Sequence, residues 1–181
     1  MPFPAKTDPQ TILGRALEII EQHGLEALSM RALAETLGIK APSLYRYYPD
    51  RAALEGALCN AIATQIHDAL ETVSSGRKPA PALRAAAHAY LEFVRAHPAL
   101  YDLYSTRPQP ASGPSKRLWA LLLALVGAFT GTGDDTASAV AVWSYLHGFV
   151  SLERAGAFGS SGDVGGFNRG LEALIQGLKR A

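Results

Sequence analysis

Between Ser29 and Leu54 the chain reads SMRALAETLGIKAPSLYRYYPDRAAL, a short stretch crowded with hydrogen-bond donors. Lys40, Ser43 and Arg46 carry donors of the kind that bond base edges or phosphate oxygens, and Ala41 and Pro42 offer small apolar surfaces that suit a thymine methyl. This is chemistry of recognition, with no bond made or broken. The chain contains no G-x-S-x-G, no H-E-x-x-H and no Walker loop. Gly131-Thr132-Gly133 begins like a dinucleotide fingerprint, but no strand precedes it and Asp134-Asp135 follows, so it reads as a helix connection with an acidic cap. Five scattered histidines do not fall at ligand spacing. We therefore expect no catalytic residue, no metal and no cofactor.

Donors aimed at a surface need a rigid support, and the flanking residues supply one. Ser29 sits where a helix N-cap is needed, its oxygen free to accept from first-turn amides. Ala34 is small where a second helix would cross closely, and Gly38 can take the left-handed conformation that ends a helix in a tight turn. Pro42 suits the first turn of the next helix, and Ile39 and Leu44 bracket the turn with apolar contacts. These offsets describe two short helices crossing steeply, a helix-turn-helix.

Helical periodicity continues along the chain, and no window shows the alternation of a strand. Helix 1 is expected over about 8–23, with Leu13, Leu17 and Ile20 inward and Gly24 as its stop; helices 2 and 3 over about 30–37 and 41–47. Helix 4 starts at a cap on Asp50 and runs to about 73, before a break at 74–81. Helix 5, about 82–97, carries the stripe Leu83, Ala86, Ala87, Tyr90, Leu91, Val94 and ends at Pro98. A short helix 6 holds Leu100, Tyr101, Leu103 and Tyr104, and a proline-rich loop spans 105–115. Helices 7, 8 and 9 follow over about 116–130, 135–157 and 164–180. The expected fold is all-α with about nine helices. A helix-turn-helix DNA-binding domain over 1–50 would join a larger helical ligand-binding and dimerisation domain over 51–181.

Hydrophobic residues make up 48% and charged residues 18%, as in a globular protein. Net charge gives no support to nucleic-acid binding. Residues 1–60 hold six Lys/Arg (Lys6, Arg15, Arg31, Lys40, Arg46, Arg51) against seven Asp/Glu. A single cysteine, Cys59, excludes a disulfide within the chain and reads as a small buried hydrophobe. MPFPAKTDPQ lacks the apolar core of a signal peptide, which points to the cytoplasm. The most apolar run, Leu118 to Phe129, is 12 residues, short of the ~20 that cross a bilayer, so no membrane partner is expected.

Leu44-Tyr45, Tyr47-Tyr48 and Arg51, following the glycine turn, resemble the TetR family of bacterial regulators. The resemblance is carried by residues 10–58 and extends over the rest in architecture. It implies that helix 3 lies in the major groove of a palindromic operator, bound by a homodimer that is most simply a repressor. It places phosphate contacts at Tyr45, Tyr47 and Arg51, with Ser29 and Arg31 adding a contact at the start of helix 2, and it makes Tyr48 a packing residue. The family often has Ser or Thr after the apolar turn residue. Lys40 stands there instead, so helix 3 lacks that cap and Lys40 can aim at phosphate.

Small residues recur on helix 8 (Ala137, Ala141, Ser144, Gly148, Ser151, Ala155) and on helix 9 (Gly166, Gly170, Ala173, Gly177), where a large stripe of Phe167, Leu171, Leu174 and Leu178 runs beside them. Glycine within a helix costs up to about 1 kcal/mol relative to alanine, so such stripes make sense where another helix comes close. Two helices from each of two chains would form a four-helix bundle about a two-fold axis; packing inside the chain against helices 5 and 7 is the alternative. Family members dimerise through their last two helices, which favours the first. The Trp143-Ser-Tyr-Leu-His147-Gly148 run, with Tyr90-Leu-x-Phe93 and His97-Pro-x-Leu-Tyr101 before it, resembles a C-terminal subgroup of the family. On that basis Phe93, Tyr101, Tyr104, Trp119, Trp143 and His147 would line a pocket for a small hydrophobic effector, unless they are simply core. His88, with Arg84, Glu92 and Arg95, falls on a polar face and is expected in solvent.

Overall fold

The computed structural model describes residues 7–107 and 113–179; positions 108–112 of the expected 105–115 loop, the N-terminal MPFPAK, Arg180 and Ala181 lie outside them. Among the described residues there are nine α-helices, two single turns of 3-10 helix and no strand. The helices gather into two compact units, one formed by residues 1–65 with 97–115 and the other by 66–96 with 116–181. This grouping differs from a division at residue 50. The first half of the long helix 51–74 and the helix after Pro98 pack with the N-terminal helices.

In the first unit, α1 (Pro9–His23) begins at Asp8, whose carboxylate accepts from the Thr11 amide at 2.9 Å and is thereby held below the usual carboxylate pKa. It ends at Gly24, φ +80°, whose amide bonds Ile20 O at 2.8 Å. Its buried residues are Ile12, Ala16, Ile19 and Ile20, while Leu13 and Leu17 are half-buried on the flank. The inward face is thus rotated by one position from the Leu13–Leu17–Ile20 stripe. A 3-10 turn (Leu25–Ala27) leads to α2 (Met30–Thr36), which Ser29 caps by accepting from the Ala32 amide at 3.0 Å.

The turn after α2 is a Schellman motif. Gly38, φ +65°, donates to Glu35 O, and the Ile39 amide reaches back to Ala34 O at 3.0 Å. α3 (Ala41–Leu44) has Pro42 in its first turn and is shorter than the expected 41–47. The cause lies at Leu44 O, which accepts from the amides of both Tyr47 and Tyr48 at 2.9 Å, so the last turn tightens and closes. α4 (Arg51–Ser74) is capped by Asp50, whose carboxylate accepts from the Ala53 amide at 2.7 Å. α6 (Pro98–Thr106), with Leu100, Tyr101, Leu103 and Tyr104 buried, packs on α1 and on the 3-10 turn. An ion pair between His97 and Glu21 tethers its start.

In the second unit, α5 (Pro79–Ala96) starts earlier than expected because Pro79 needs no amide partner in a first turn. Its whole predicted stripe, Leu83 to Val94, is buried. α5 packs on α8 (Thr136–Arg154), and α8 on α9 (Gly166–Leu178). α7 (Pro114–Thr130) carries Gly127, where a Cβ would lie 2.8 Å from Thr132 O. The Gly131-Thr132-Gly133 segment folds back over α7 at that point. Asp135 then caps α8, accepting from the Ser138 amide at 3.0 Å. Arg84 binds Glu172 through two bonds of 2.5 and 2.7 Å, joining α5 to α9, and Arg95 binds Glu153 and Asp163.

If the Ser29 cap holds α2 in place, Ser29→Ala should cost about 1 kcal/mol while Ser29→Gly costs only a few tenths. Urea unfolding of the two variants, read by helical circular dichroism, checks the order.

Candidate nucleic-acid interface

Leu44 and Tyr48, one helical turn apart, are 0% and 8% exposed, and burial raises the pKa of the Tyr48 phenol. With these two anchored inward, the residues between them must face out. Tyr45 is 49% exposed, Tyr47 37%, and Arg46 is exposed. Lys40 and Pro42 are exposed as well, and Ala41 and Ser43 half-buried. An ammonium has no lone pair to accept from the first-turn amides, so Lys40 does not cap helix 3 and its side chain stays exposed. Ser29 Oγ is occupied as an acceptor by its cap bond, and Arg31 is paired with Glu35 at 2.9 Å, both well exposed.

The three residues that the family resemblance assigns to phosphate differ in what they already hold. Tyr47 donates its hydroxyl to Thr7 O at 2.6 Å, which ties the turn after α3 to the chain entering α1. Arg51 Nε donates to Glu55 Oε1 at 2.8 Å, and Glu55 Oε2 lies 2.9 Å from Arg107 Nε. Only Tyr45 combines high exposure with no described hydrogen bond.

Two family profiles match this chain. Residues 12–58 match the bacterial regulatory proteins of the tetR family, and residues 83–176 match the tetracyclin repressor-like C-terminal domain. The chain belongs to the TetR family. It is a transcriptional regulator and not an enzyme. An uncharacterized HTH-type transcriptional regulator of Mycobacterium tuberculosis is 28% identical over 98% of this chain and 84% of its own length. A protein of unknown function from Rhodococcus sp. RHA1 shares the fold, with a TM-score of 0.83 at 23% identity over 99% of each chain. BioQ, solved with its double-stranded DNA operator, shares it with a TM-score of 0.74 at 23% identity, over 97% of this chain and 100% of BioQ.

For a TetR regulator, the other expected sites are placed less simply. The six aromatic candidates for an effector pocket fall in different units: Tyr101 and Tyr104 are buried in the first, while Phe93, Trp119, Trp143 and His147 belong to the second. The helix after Pro98 packs on α1, which places Tyr101 and Tyr104 in the first unit. Trp143 stacks on His147 with centroids 6.0 Å apart and tilts against Tyr90 at 5.3 Å. The Tyr90 hydroxyl shares a 3.2 Å hydrogen bond with His147 Nδ1, and burial lowers the His147 pKa, so the ring is neutral near pH 7. Phe93 lines an open groove of about 510 Å³ with Asp68, Val73, Ala89 and Glu92.

The dimer candidates also separate. Phe167 and Leu171 are 2% and 1% exposed within a single chain, so they are core and not interface. Phe167 meets His88, Tyr145 and Phe149 ring to ring, and His88 is half-buried there instead of fully in solvent. A Cβ at Gly170 would lie 2.6 Å from the Tyr145 hydroxyl, which itself donates to Phe167 O at 2.6 Å; that glycine admits Tyr145 of the same chain. Ser144, Ser151, Ala155, Gly166 and Gly177 are exposed, and Ala141, Gly148, Leu174 and Leu178 half-buried.

Sequence reasoning did not single out Tyr145, Glu55, Arg107 or Asn60. Asn60 Oδ1, on α4, is buried with no hydrogen-bond partner among the described residues. A lone Asn in a helix carries no signal of this in sequence.

The hydroxyl partners predict a difference between two tyrosines. Tyr45→Phe should weaken binding to a DNA duplex and leave stability unchanged. Tyr47→Phe should lower stability by about 1 kcal/mol, the worth of an ordinary hydrogen bond, with the smaller effect on DNA. Fluorescence anisotropy and urea unfolding of both variants separate these outcomes.

Proposed function

We propose that this TetR-family chain is a ligand-responsive repressor that binds a palindromic operator as a homodimer and is released by a small hydrophobic effector. The observation that carries the DNA-binding part is the outward row on and after α3. Lys40, Pro42, Tyr45 and Arg46 stand exposed while Leu44 and Tyr48 are locked inward. α3 then enters the major groove with Ala41, Pro42, Ser43 and Arg46 toward base edges. Ser29, Arg31, Lys40, Tyr45, Tyr47 and Arg51 flank it toward phosphates. The BioQ structure, caught on its operator, supports this use of the shared fold. Such a regulator works in the cytoplasm, where its DNA is.

The dimer is supported by the outer face of α8. From Thr136 to Leu152 this helix has no charged residue, yet Val140 and Leu152 are 48% and 52% exposed beside Ser144, Gly148 and Ser151. An uncharged helical face of that length normally packs on something. A second copy would supply the cover and hold two recognition helices for half-sites about 34 Å apart, or a multiple of that spacing. The surface proposed is Ala141, Ser144, Gly148, Ser151 and Ala155 with Gly166, Leu174, Gly177 and Leu178, and not the buried Phe167 and Leu171. An effector bound near Trp143, His147 and Phe93 would act by preferring one conformation of the protein over the other.

Selection of bound fragments from a random DNA pool should recover a palindrome. Arg46→Ala should relax preference at one position in each half-site, at a cost on the order of 1–3 kcal/mol per contact. Recovery of sequences without symmetry would remove the reading. Leu152→Glu places a charge on the proposed dimer face at a site already half exposed, and it should yield folded monomers in sedimentation; an undisturbed dimer would place the interface elsewhere.

A further inference from the structure

Arg51 and Glu55 stand one turn apart at the start of α4, but they are not an ordinary surface pair. The Glu55 side chain is 10% exposed, whereas those of Arg51 and Arg107 are 45% and 44% exposed. The anion lies inside and the two cations reach outward across it, one guanidinium on each carboxylate oxygen, at 2.8 and 2.9 Å. Burying a carboxylate is costly unless both oxygens are met, and both are. Helix energetics do not account for the arrangement. Arginine at the first position of a helix opposes the helix dipole, and the reverse order, Glu before Arg, is the better one for a pair four residues apart. A cation at that place becomes favourable when an anion binds at the same helix end.

The geometry of the bond points the same way. Glu55 takes the Nε edge of Arg51, and no other hydrogen bond to Arg51 is described. The two terminal amino groups are therefore left for a second, bidentate acceptor. The residues line an open groove of about 530 Å³ with Ala52, Gly56 and Cys59, which gives that acceptor access. Glu55 and Arg107 come from α4 and from just beyond α6, within the same compact unit.

We propose that Glu55 is the positioning residue for the phosphate contact. It holds Arg51 by Nε so that the terminal amino groups face a DNA phosphate, while Arg107 fixes the far oxygen of the carboxylate. The inference rests on the DNA-binding reading above, and its sign sets it apart from simple electrostatics. A carboxylate beside the DNA backbone repels phosphate, so its removal alone would tighten binding.

The test measures binding of the full chain, across a salt series, to a labelled duplex carrying the palindrome recovered by selection from the random pool, where each phosphate contact adds its own share to the salt slope. Glu55→Gln keeps the reach and removes the charge; Glu55→Asp keeps the charge and removes the reach. Positioning predicts that both weaken binding, by about tenfold, as expected when one charge-assisted hydrogen bond is lost. Arg51→Ala should weaken binding and flatten the salt slope by about 0.9, one phosphate contact. In the Arg51→Ala background neither Glu55 variant should weaken binding further, which a purely structural role of Glu55 would not produce. Tighter binding by Glu55→Gln, unchanged binding by Glu55→Asp, or full weakening in the Arg51→Ala background would each overturn the inference. So would loss of helical circular dichroism in both Glu55 variants. A wild-type chain that fails to bind the duplex would instead remove the DNA-binding reading and take this inference with it.

Discussion

The outward residues of the recognition segment take their direction from the backbone turn at Gly38. Its left-handed conformation would cost most other residues about 1–2 kcal/mol, and it closes α2 with the Ile39–Ala34 bond. Once that turn is made, the start of α3 is set. Leu44 and Tyr48 then pin the segment at two buried points. Which side chains face out follows from this backbone frame, not from contacts among the donors themselves. The frame is bonded on both sides, by the Ser29 cap before it and by the doubly used Leu44 carbonyl after it.

Electrostatics in the same region is restrained. Six cations face seven acids over residues 1–60, and Arg31 and Arg51 each carry an acidic neighbour within one turn. Fields of such closely paired charges fade over a few ångströms, well inside the ~8 Å screening length of physiological salt. Long-range attraction to DNA is therefore weak, and affinity must come from contacts made at close fit. A binding surface built this way lingers little on random sequence, which favours discrimination over capture.

What could be seen in the sequence was whatever local chemistry determines. Ser29, Asp50 and Gly38 act through bonds to residues within four or five positions, and the α5 stripe repeats with the helix, so all were legible. Errors arose where two local answers were equally good or where the partner was remote. On α1 both Leu13–Leu17 and Ile12–Ala16–Ile19 fit the helical period, and only packing against α2 and α6 selects the second. Gly170 looked like a place for another chain, but its neighbour is Tyr145, 25 residues earlier in the chain. The aromatic candidates lie on successive helices, and their division between two compact units leaves no trace in the sequence. Pro98 begins a helix that packs with residues some eighty positions away. The bond from Glu55 to Arg107 spans 52 positions and has no signature at all.

The uncharged face of α8, proposed above as the surface for a second copy, has a consequence for how such a chain would be kept from pairing with a wrong partner. Surfaces that pair through opposite charges can reject a wrong partner by placing like charges together. Val140, Ser144, Gly148, Ser151 and Leu152 cannot do this. On such a surface, fidelity depends on relief: a hollow at Gly148 and ridges at Val140 and Leu152 admit a matching contour and exclude bulk. Exchange of single methyl groups along this ridge, with no change of charge, would then be enough to divide one self-pairing population into two that no longer mix.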